Sequence, residues 1–169
     1  MSPPRLLLVE GPSDENAVHA LVTSLGLPAV SVREIGGITN VRRELAGLDT
    51  GVEPGVLHDA GETAHVTAVL GGRDVPTFCC RLDLEDELIR SLGTSRAVEI
   101  LEAAGDGAAW RTIRNQPFHR DRPEDQVLRR FLGAGSGRKK RYAALLAAAL
   151  APSEVPEPLA AALDWATRR

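Results

Sequence analysis

Two hydrophobic spacings alternate along the first part of the chain. Arg5–Val9 carries an unbroken apolar run, Leu6-Leu7-Leu8-Val9, the mark of a strand buried on both faces. The run breaks at Gly11-Pro12-Ser13. From Asn16 to Leu25 the apolar residues are Ala17, Val18, Leu21, Val22 and Leu25, one face of a helix that Ser13 or Asp14 can cap and Gly26 can stop. Ala29–Ile35 alternates in part and reads as a second strand, closed by Gly36-Gly37. Asn40–Leu48 reads as a short helix, and Val56–His58 as a short strand ending at Asp59. Glu62–Leu70 reads as a helix before Gly71-Gly72, and Val75–Leu82 as a fourth strand. Strands recurring every ~20–25 residues with helices between them predict right-handed crossovers and a parallel sheet.

From Leu84 onward the spacing is helical, over Leu84–Leu92, Ala97–Ala104, Gln126–Leu132, Arg138–Leu150 and Pro156–Ala166. Gly133-Ala-Gly-Ser-Gly137 breaks this series. The expected architecture is an α/β, Rossmann-like fold with a sheet of about four parallel strands flanked by helices and a helical C-terminal extension.

Length and composition fit one such domain: 169 residues, 43% hydrophobic and 25% charged. No apolar run approaches the ~20 residues that span a bilayer, so no membrane partner is expected. Met1–Glu10 does not read as a signal peptide, because its apolar stretch is short and ends in an acid. The only cysteines are the adjacent Cys79 and Cys80, which form no disulfide framework. They sit in a predicted buried strand, where Cys acts as a small apolar residue. The expected compartment is the reducing cytoplasm.

Charge changes this picture by segment. Residues 1–109 hold 8 basic and 17 acidic residues, a net −9, whereas residues 110–141 hold 10 and 3, a net +7. An acidic body beside a basic stretch suits metal ions on one side and a polyanion on the other. The chain therefore divides, within one compact unit, into an acidic core at 1–109 and a helical extension at 110–169. Arginine occurs 18 times and lysine only twice, as Lys139-Lys140. A lysine kept amid such a bias marks a place where a compact ammonium serves and a planar guanidinium does not.

Ligands in an open parallel sheet bind at the C-terminal ends of the strands. The acids collect there. Strand one ends at Glu10, with Asp14 four residues on; strand three ends at Asp59, with Glu62 after it; strand four leads to Asp83-Leu84-Glu85. Carboxylates crowded together repel, and a hard divalent cation relieves the repulsion. The alternative is that each is a solvated acid near a helix N-terminus, favoured by the helix dipole.

The ordered set of motifs resembles the TOPRIM domain, the metal-binding module of topoisomerases, bacterial primases and the OLD (overcoming lysogenisation defect) nucleases. Leu6-Leu-Leu-Val-Glu10-Gly11-Pro-Ser-Asp14-Glu15 resembles its opening signature. Val56-Leu-His-Asp59-Ala-Gly61-Glu62 falls where the family carries Asp-x-Asp. Asp83-Leu84-Glu85-Asp86-Glu87-Leu88 is similar to the acidic motif of the OLD branch, and Gly137-Arg-Lys139-Lys140-Arg-Tyr-Ala143 to the segment bearing that branch's functional lysine. One position departs: Gly61 stands at the second acid, with Glu62 the nearest substitute and Asp83 an additional oxygen donor. OLD proteins also carry an ATPase, and this chain has no Gly-x4-Gly-Lys-Ser/Thr. The resemblance therefore implies a TOPRIM module that works alone or with an ATPase domain or partner.

What the resemblance implies is divalent-metal-dependent cleavage of nucleic acid, DNA before RNA, with two Mg²⁺ or Mn²⁺ ions roughly 4 Å apart. The implied ligands are Glu10, Asp14, Asp59, Glu62, Asp83 and Glu85. Lys139 or Lys140 would neutralise the phosphate in the transition state. Arg129, Arg130, Arg138 and Arg141 would hold the nucleic-acid backbone. The competing class is a binding or regulatory module that lost turnover with the acid at position 61. Strand passage needs a nucleophilic tyrosine, and the lone Tyr142 lies in a basic helix; primer synthesis needs further domains. His58 is expected to be structural, and His119, beside arginines, is a minor candidate for phosphate contact. Trp110 and Trp165 are expected in packing. Three Phe and one Tyr are too few for a base-stacking platform.

Overall fold

The computed structural model describes residues 3–134 and 137–168. The middle of the expected break at 133–137 thus lies outside the described residues. Four strands form one parallel sheet: β1 (Arg5–Val9), β2 (Ser31–Glu34), β3 (Glu53–Asp59) and β4 (Thr77–Cys80), in the order β2-β1-β3-β4. Among the described residues nine helices surround it: α1 (Pro12–Ser24), α2 (Val41–Ala46), α3 (Thr63–Leu70), α4 (Leu84–Leu92), α5 (Thr94–Ala103), α6 (Gly107–Arg114), α7 (Glu124–Gly133), α8 (Arg138–Ala148) and α9 (Glu157–Thr167).

The apolar run of β1 is explained by its central place. Leu7 and Val9 point to one face, into a large core shared with α1 and α4–α9. Leu6 and Leu8 point to the other, into a smaller core with Val41 of α2 and Val66, Val69 and Leu70 of α3. A strand covered on both faces has no use for alternation. In β4 the smaller layer runs out. Phe78 and Cys80 face the large core, whereas Thr77 and Cys79 are exposed. The expectation of two buried cysteines is therefore corrected: Cys79 lies on the open face of an edge strand, and only Cys80 is buried.

The helical extension is not a separate layer. Leu128, Phe131, Tyr142, Leu146 and Leu159 all share the large core with Leu7 and Val9. The change of charge at residue 110 falls inside α6 and coincides with no break in packing. Ala109, Trp110 and Ile113 of that helix turn one face to the core, and it is fastened by Trp110, buried edge-on to Phe131 at 5.7 Å. Trp165 of α9 crosses Gly55 of β3 so closely that a Cβ there would stand 2.8 Å from the indole ring. Glycine is required at that position by close approach, not by a turn.

The contact that matters most for the site is α8 against α1. Ala143 and Ala147 of α8 and Ala17 of α1 are all buried, and small side chains let the two backbones run close together. Both helices begin at the same end of the sheet, with Pro12, Ser13 and Gly137 around one cleft. A parallel sheet places its strand C-termini there too, so the acids of β1 and β3 and the lysines of α8 meet.

Candidate metal centre

Each acid is positioned by the end of an element. Glu10 follows β1, and its carbonyl accepts the Gly37 N–H at 2.9 Å, which fixes the chain as it leaves the sheet. Gly37 has φ 108°, a region that a side chain would resist. Helix α1 starts at Pro12 with Gly11 as its cap, and Asp14 reaches back to accept the Gly11 N–H at 2.9 Å. Asp14 thus closes the turn from the third helical position and is not itself the cap. Asp59 ends β3. The neighbouring His58 is buried, and its Nδ1 donates to the Asp59 carbonyl at 2.9 Å, a structural role that also fixes the imidazole proton. Glu62 follows one short 3₁₀ turn later, half-buried, close enough for its charge to act on Glu10.

Asp83 caps α4, accepting the Asp86 N–H at 2.9 Å on one oxygen and Arg129 Nε at 2.7 Å on the other. Both its oxygens are engaged. Glu85, one residue inside α4, is 4% exposed. Lys139 Nζ lies 3.4 Å from its Oε2, while its Oε1 is buried without a hydrogen-bond partner among the described residues. A buried carboxylate oxygen left without a donor is costly, and such orphans occur where a ligand or ion completes the shell.

A cleft of about 350 Å³ joins Glu10, Asp14, Asp59, Lys139 and Lys140. A second, of about 510 Å³, holds Asp83, Glu85, Arg129 and Arg130, and Lys139 lines both. Burial, followed by the charges of Asp14, Asp83, Glu10 and Glu85, pushes the Asp59 carboxyl up to about 7. Burial first, then Asp83 and Asp14, raises Glu85 to about 7 against the pull of Lys139. Glu10 and Asp14 are also raised, chiefly by burial. Lys139 is held above its ordinary value: burial disfavours its charge, but Glu85, Asp14 and Asp59 outweigh that. Among the described residues no three acidic, imidazole or thiol groups stand close enough together to hold an ion as they are. The donors are nonetheless all carboxylate oxygens, the hard set that Mg²⁺ and Mn²⁺ take. With the orphaned Glu85 oxygen, they fit such an ion.

These shifts have a thermal consequence. A carboxyl whose folded pKa is raised binds its proton more tightly in the folded state, so its stabilisation is complete below the unfolded value and is lost as pH rises through the folded one. In EDTA the melting temperature is expected to fall between about pH 4.5 and pH 7.5, the window set by Asp59 and Glu85. A scanning-calorimetry profile that is flat or rising across that window would contradict the crowding of charge described here.

The sequence-predicted residues are not all brought together. Of the four arginines expected on a nucleic-acid backbone, three have partners within the protein. Arg129 is paired with Asp83. Arg138 donates to the Ala134 carbonyl at 2.7 Å and lies 4.3 Å from the Phe131 ring centroid. Arg141 donates to the Ala104 carbonyl at 2.6 Å. Arg130 alone of the four is free of ion pairs among the described residues. Sequence reasoning missed Asp106, which accepts the Tyr142 hydroxyl at 2.7 Å and sits 3.8 Å from Arg138 and 3.9 Å from Arg141. It anchors the basic start of α8; only its place beside a Gly-rich turn hinted at a role. Tyr142 itself is 1% exposed, its hydroxyl pushed up to about 12 by burial and by Asp106, so it is held as a buried packing residue. His119 is buried too, its Nδ1 without a partner among the described residues, and burial and the nearby Arg130, Arg122 and Arg114 lower its pKa.

Sheet order and crossover pattern define an α/β fold built on one four-stranded parallel sheet, with acids at the strand ends. The solved structures agree with that class. The chain shares its fold with the C-terminal region of the OLD protein of Xanthomonas campestris pv. campestris, at a TM-score of 0.66 and 20% identity over 98% of this chain and 92% of that one. It is equally similar to the C-terminal region of the Burkholderia pseudomallei OLD protein, with a TM-score of 0.66 and 18% identity over 98% and 97% of the two chains. No family model and no curated protein matches the sequence. Among the described residues no helix is long and apolar enough to cross a membrane.

Proposed function

We propose that this protein is a divalent-metal-dependent nuclease that hydrolyses phosphodiesters in DNA. The observation that carries this reading is that Lys139 lines both the cleft of Glu10 and Asp59 and the neighbouring cleft of Glu85, so carboxylates from three different element ends border one lysine. Glu10, Asp59 and Glu62 accept no side-chain hydrogen bond from a described residue, and Glu85 keeps one oxygen free beside Lys139. Asp14 is tied to Gly11 through one oxygen and can complete the shell with the other, whereas both oxygens of Asp83 are engaged, so it supports the others. Bound Mg²⁺ or Mn²⁺ would activate water and stabilise the leaving oxygen. Lys139 neutralises charge on the phosphoryl oxygens, and Lys140 lines the same cleft. Asp83 holds Arg129 at the rim, which gives the acids a cationic border toward the substrate.

The test is relaxation of supercoiled plasmid by the purified protein in EDTA, Mg²⁺, Mn²⁺ and Ca²⁺, with an RNA substrate in parallel. Cleavage only with Mg²⁺ or Mn²⁺ is the expected result. Cleavage in EDTA, or none with any metal on either substrate, would overturn the proposal. Metal binding has its own readout. At about 100 times Kd an ion adds roughly 2.7 kcal/mol to stability, or about 5–10 °C in melting temperature for a chain this long. The gain should be larger at pH 7.5 than at pH 5.5, because the ligands must lose their protons.

Gly61 favours a second reading, a module that binds metal weakly without turnover. The position is exposed, and a Cβ built there meets nothing within 4 Å. Gly61→Asp is therefore free of steric cost and supplies the acid that the motif lacks. It is expected to tighten Mn²⁺ binding about tenfold, ~1.4 kcal/mol, by calorimetric titration. An unchanged affinity would mean that Glu62 already fills the place.

A further inference from the structure

We propose that the groove between α4 and α7 binds a single-stranded stretch of nucleic acid leading from the acid centre, with one unpaired base stacked on Phe118. This rests on the nuclease reading of the centre and adds the form of its substrate. The groove has a volume of about 710 Å³ and is lined by Arg81, Arg90, Arg122, Arg129 and Arg130 against two acids, Asp86 and Asp125. It continues into the cleft that holds Glu85 and Lys139, since Gln126, Arg129 and Arg130 line both. A strand held at the acids therefore has one cationic path along the surface.

The guanidinium groups of this path fall into two kinds. Arg90 is paired with Glu87 and Asp86, and Arg129 with Asp83. Arg81, Arg122 and Arg130 are exposed and form no ion pair with any described residue. Unpaired guanidinium groups spaced along a groove match phosphates on a backbone.

Phe118 supplies what a duplex cannot use. Phe78 and Phe131 are buried, but Phe118 is 59% exposed, even with the Arg122 guanidinium 4.1 Å from its ring centroid and that of Arg130 at 5.7 Å. The buried His119 ring packs against it in a T-shaped contact at 5.1 Å. An exposed ring flanked by arginines stacks on a base face, which is open only where the base is unpaired. Phe118 stands at the edge of the groove, beside Arg122 and Arg130 of its lining, and Leu82, 50% exposed, is an apolar contact within it. An acidic peptide would satisfy the arginines but would leave the ring without a planar partner.

The experiment is fluorescence anisotropy in EDTA with labelled 12-mers of single-stranded DNA, single-stranded RNA and duplex DNA. Wild type, Phe118→Ala, Phe118→Trp and Arg81→Gln are compared, with melting temperatures as the folding control. Single strands should bind more tightly than the duplex. Phe118→Ala should weaken single-strand binding about tenfold and leave duplex binding unchanged, and Phe118→Trp should restore it. Arg81→Gln should weaken all three probes and lower the salt slope by about one. The DNA and RNA arms say which strand the groove takes. Equal binding of duplex and single strands, no effect of Phe118→Ala, or full competition by polyglutamate would overturn the proposal. Plasmid cleavage separates this from the nuclease reading. Normal cleavage with a silent Phe118→Ala sinks the groove alone. A Phe118-dependent single-strand preference without any cleavage sinks the nuclease and keeps the groove.

Discussion

Exchanging Asp59 for Asn is expected to lower metal-dependent cleavage on the order of a thousandfold, while the protein in EDTA at pH 7.5 stays at least as heat-stable as the wild type. The two halves of this prediction have one cause. Asp59 stands where burial and four other carboxylates, Asp14, Asp83, Glu10 and Glu85, all disfavour its charge. Without a cation its negative charge is a liability, and the amide removes it at constant shape. On the proposed reading, the same substitution removes a ligand oxygen from the cleft that Glu10 and Asp59 share with Lys139. Loss of several kcal/mol of charge stabilisation at the reacting phosphate gives the thousandfold figure. Plasmid nicking and calorimetry on the same preparation check both halves. Wild-type cleavage by Asp59→Asn would remove the residue from the site. Loss of activity together with a lower melting temperature in EDTA would make its role structural.

The acids at strand ends were legible because two local signals coincide there. The run Leu6–Val9 fixes a central strand, and the first acid after it must then lie at the sheet's C-terminal edge. The same logic places Asp59 after Leu57 and His58. What the sequence hid are partners set by tertiary packing. Asp83 and Arg129 are 46 residues apart, and only the approach of α4 and α7 pairs them, which turns an expected phosphate contact into an internal one. Cys79 and Cys80 look alike in sequence, but an edge strand whose outer face lacks a helix exposes one and buries the other. Helix α6 was legible in the spacing of Ala109, Trp110 and Ile113, which face the core, and was passed over because the helix is short and lies between two glycines and a proline. Phe118 was discounted by counting aromatics; its exposure between two arginines depends on how the 3₁₀ turn at Pro117–His119 is held.

The two lysines, indistinguishable in sequence, should separate cleanly. Lys139→Met is expected to slow single-turnover cleavage at saturating Mn²⁺ about 10²–10³-fold, the usual cost of one preorganised donor to a developing charge. Lys140→Met should cost a few-fold at most. The difference follows from their neighbours. Lys139 stands 3.4 Å from Glu85 and within the fields of Asp14 and Asp59, whereas Lys140 forms no ion pair with a described residue. Lys139→Arg should restore little, because a planar fork cannot occupy the place of a compact ammonium. A purely structural counterion would also be missed on removal, so the pH profile must decide. Burial raises the Glu85 carboxyl to about 7 even against the pull of Lys139. Without it Glu85 holds its proton to higher pH, and the acid limb of the rate profile should move to alkaline pH. If raising the pH restores the full rate of Lys139→Met, the lysine acts only by keeping Glu85 ionised. If a hundredfold deficit persists on the alkaline plateau, Lys139 acts on the phosphate itself.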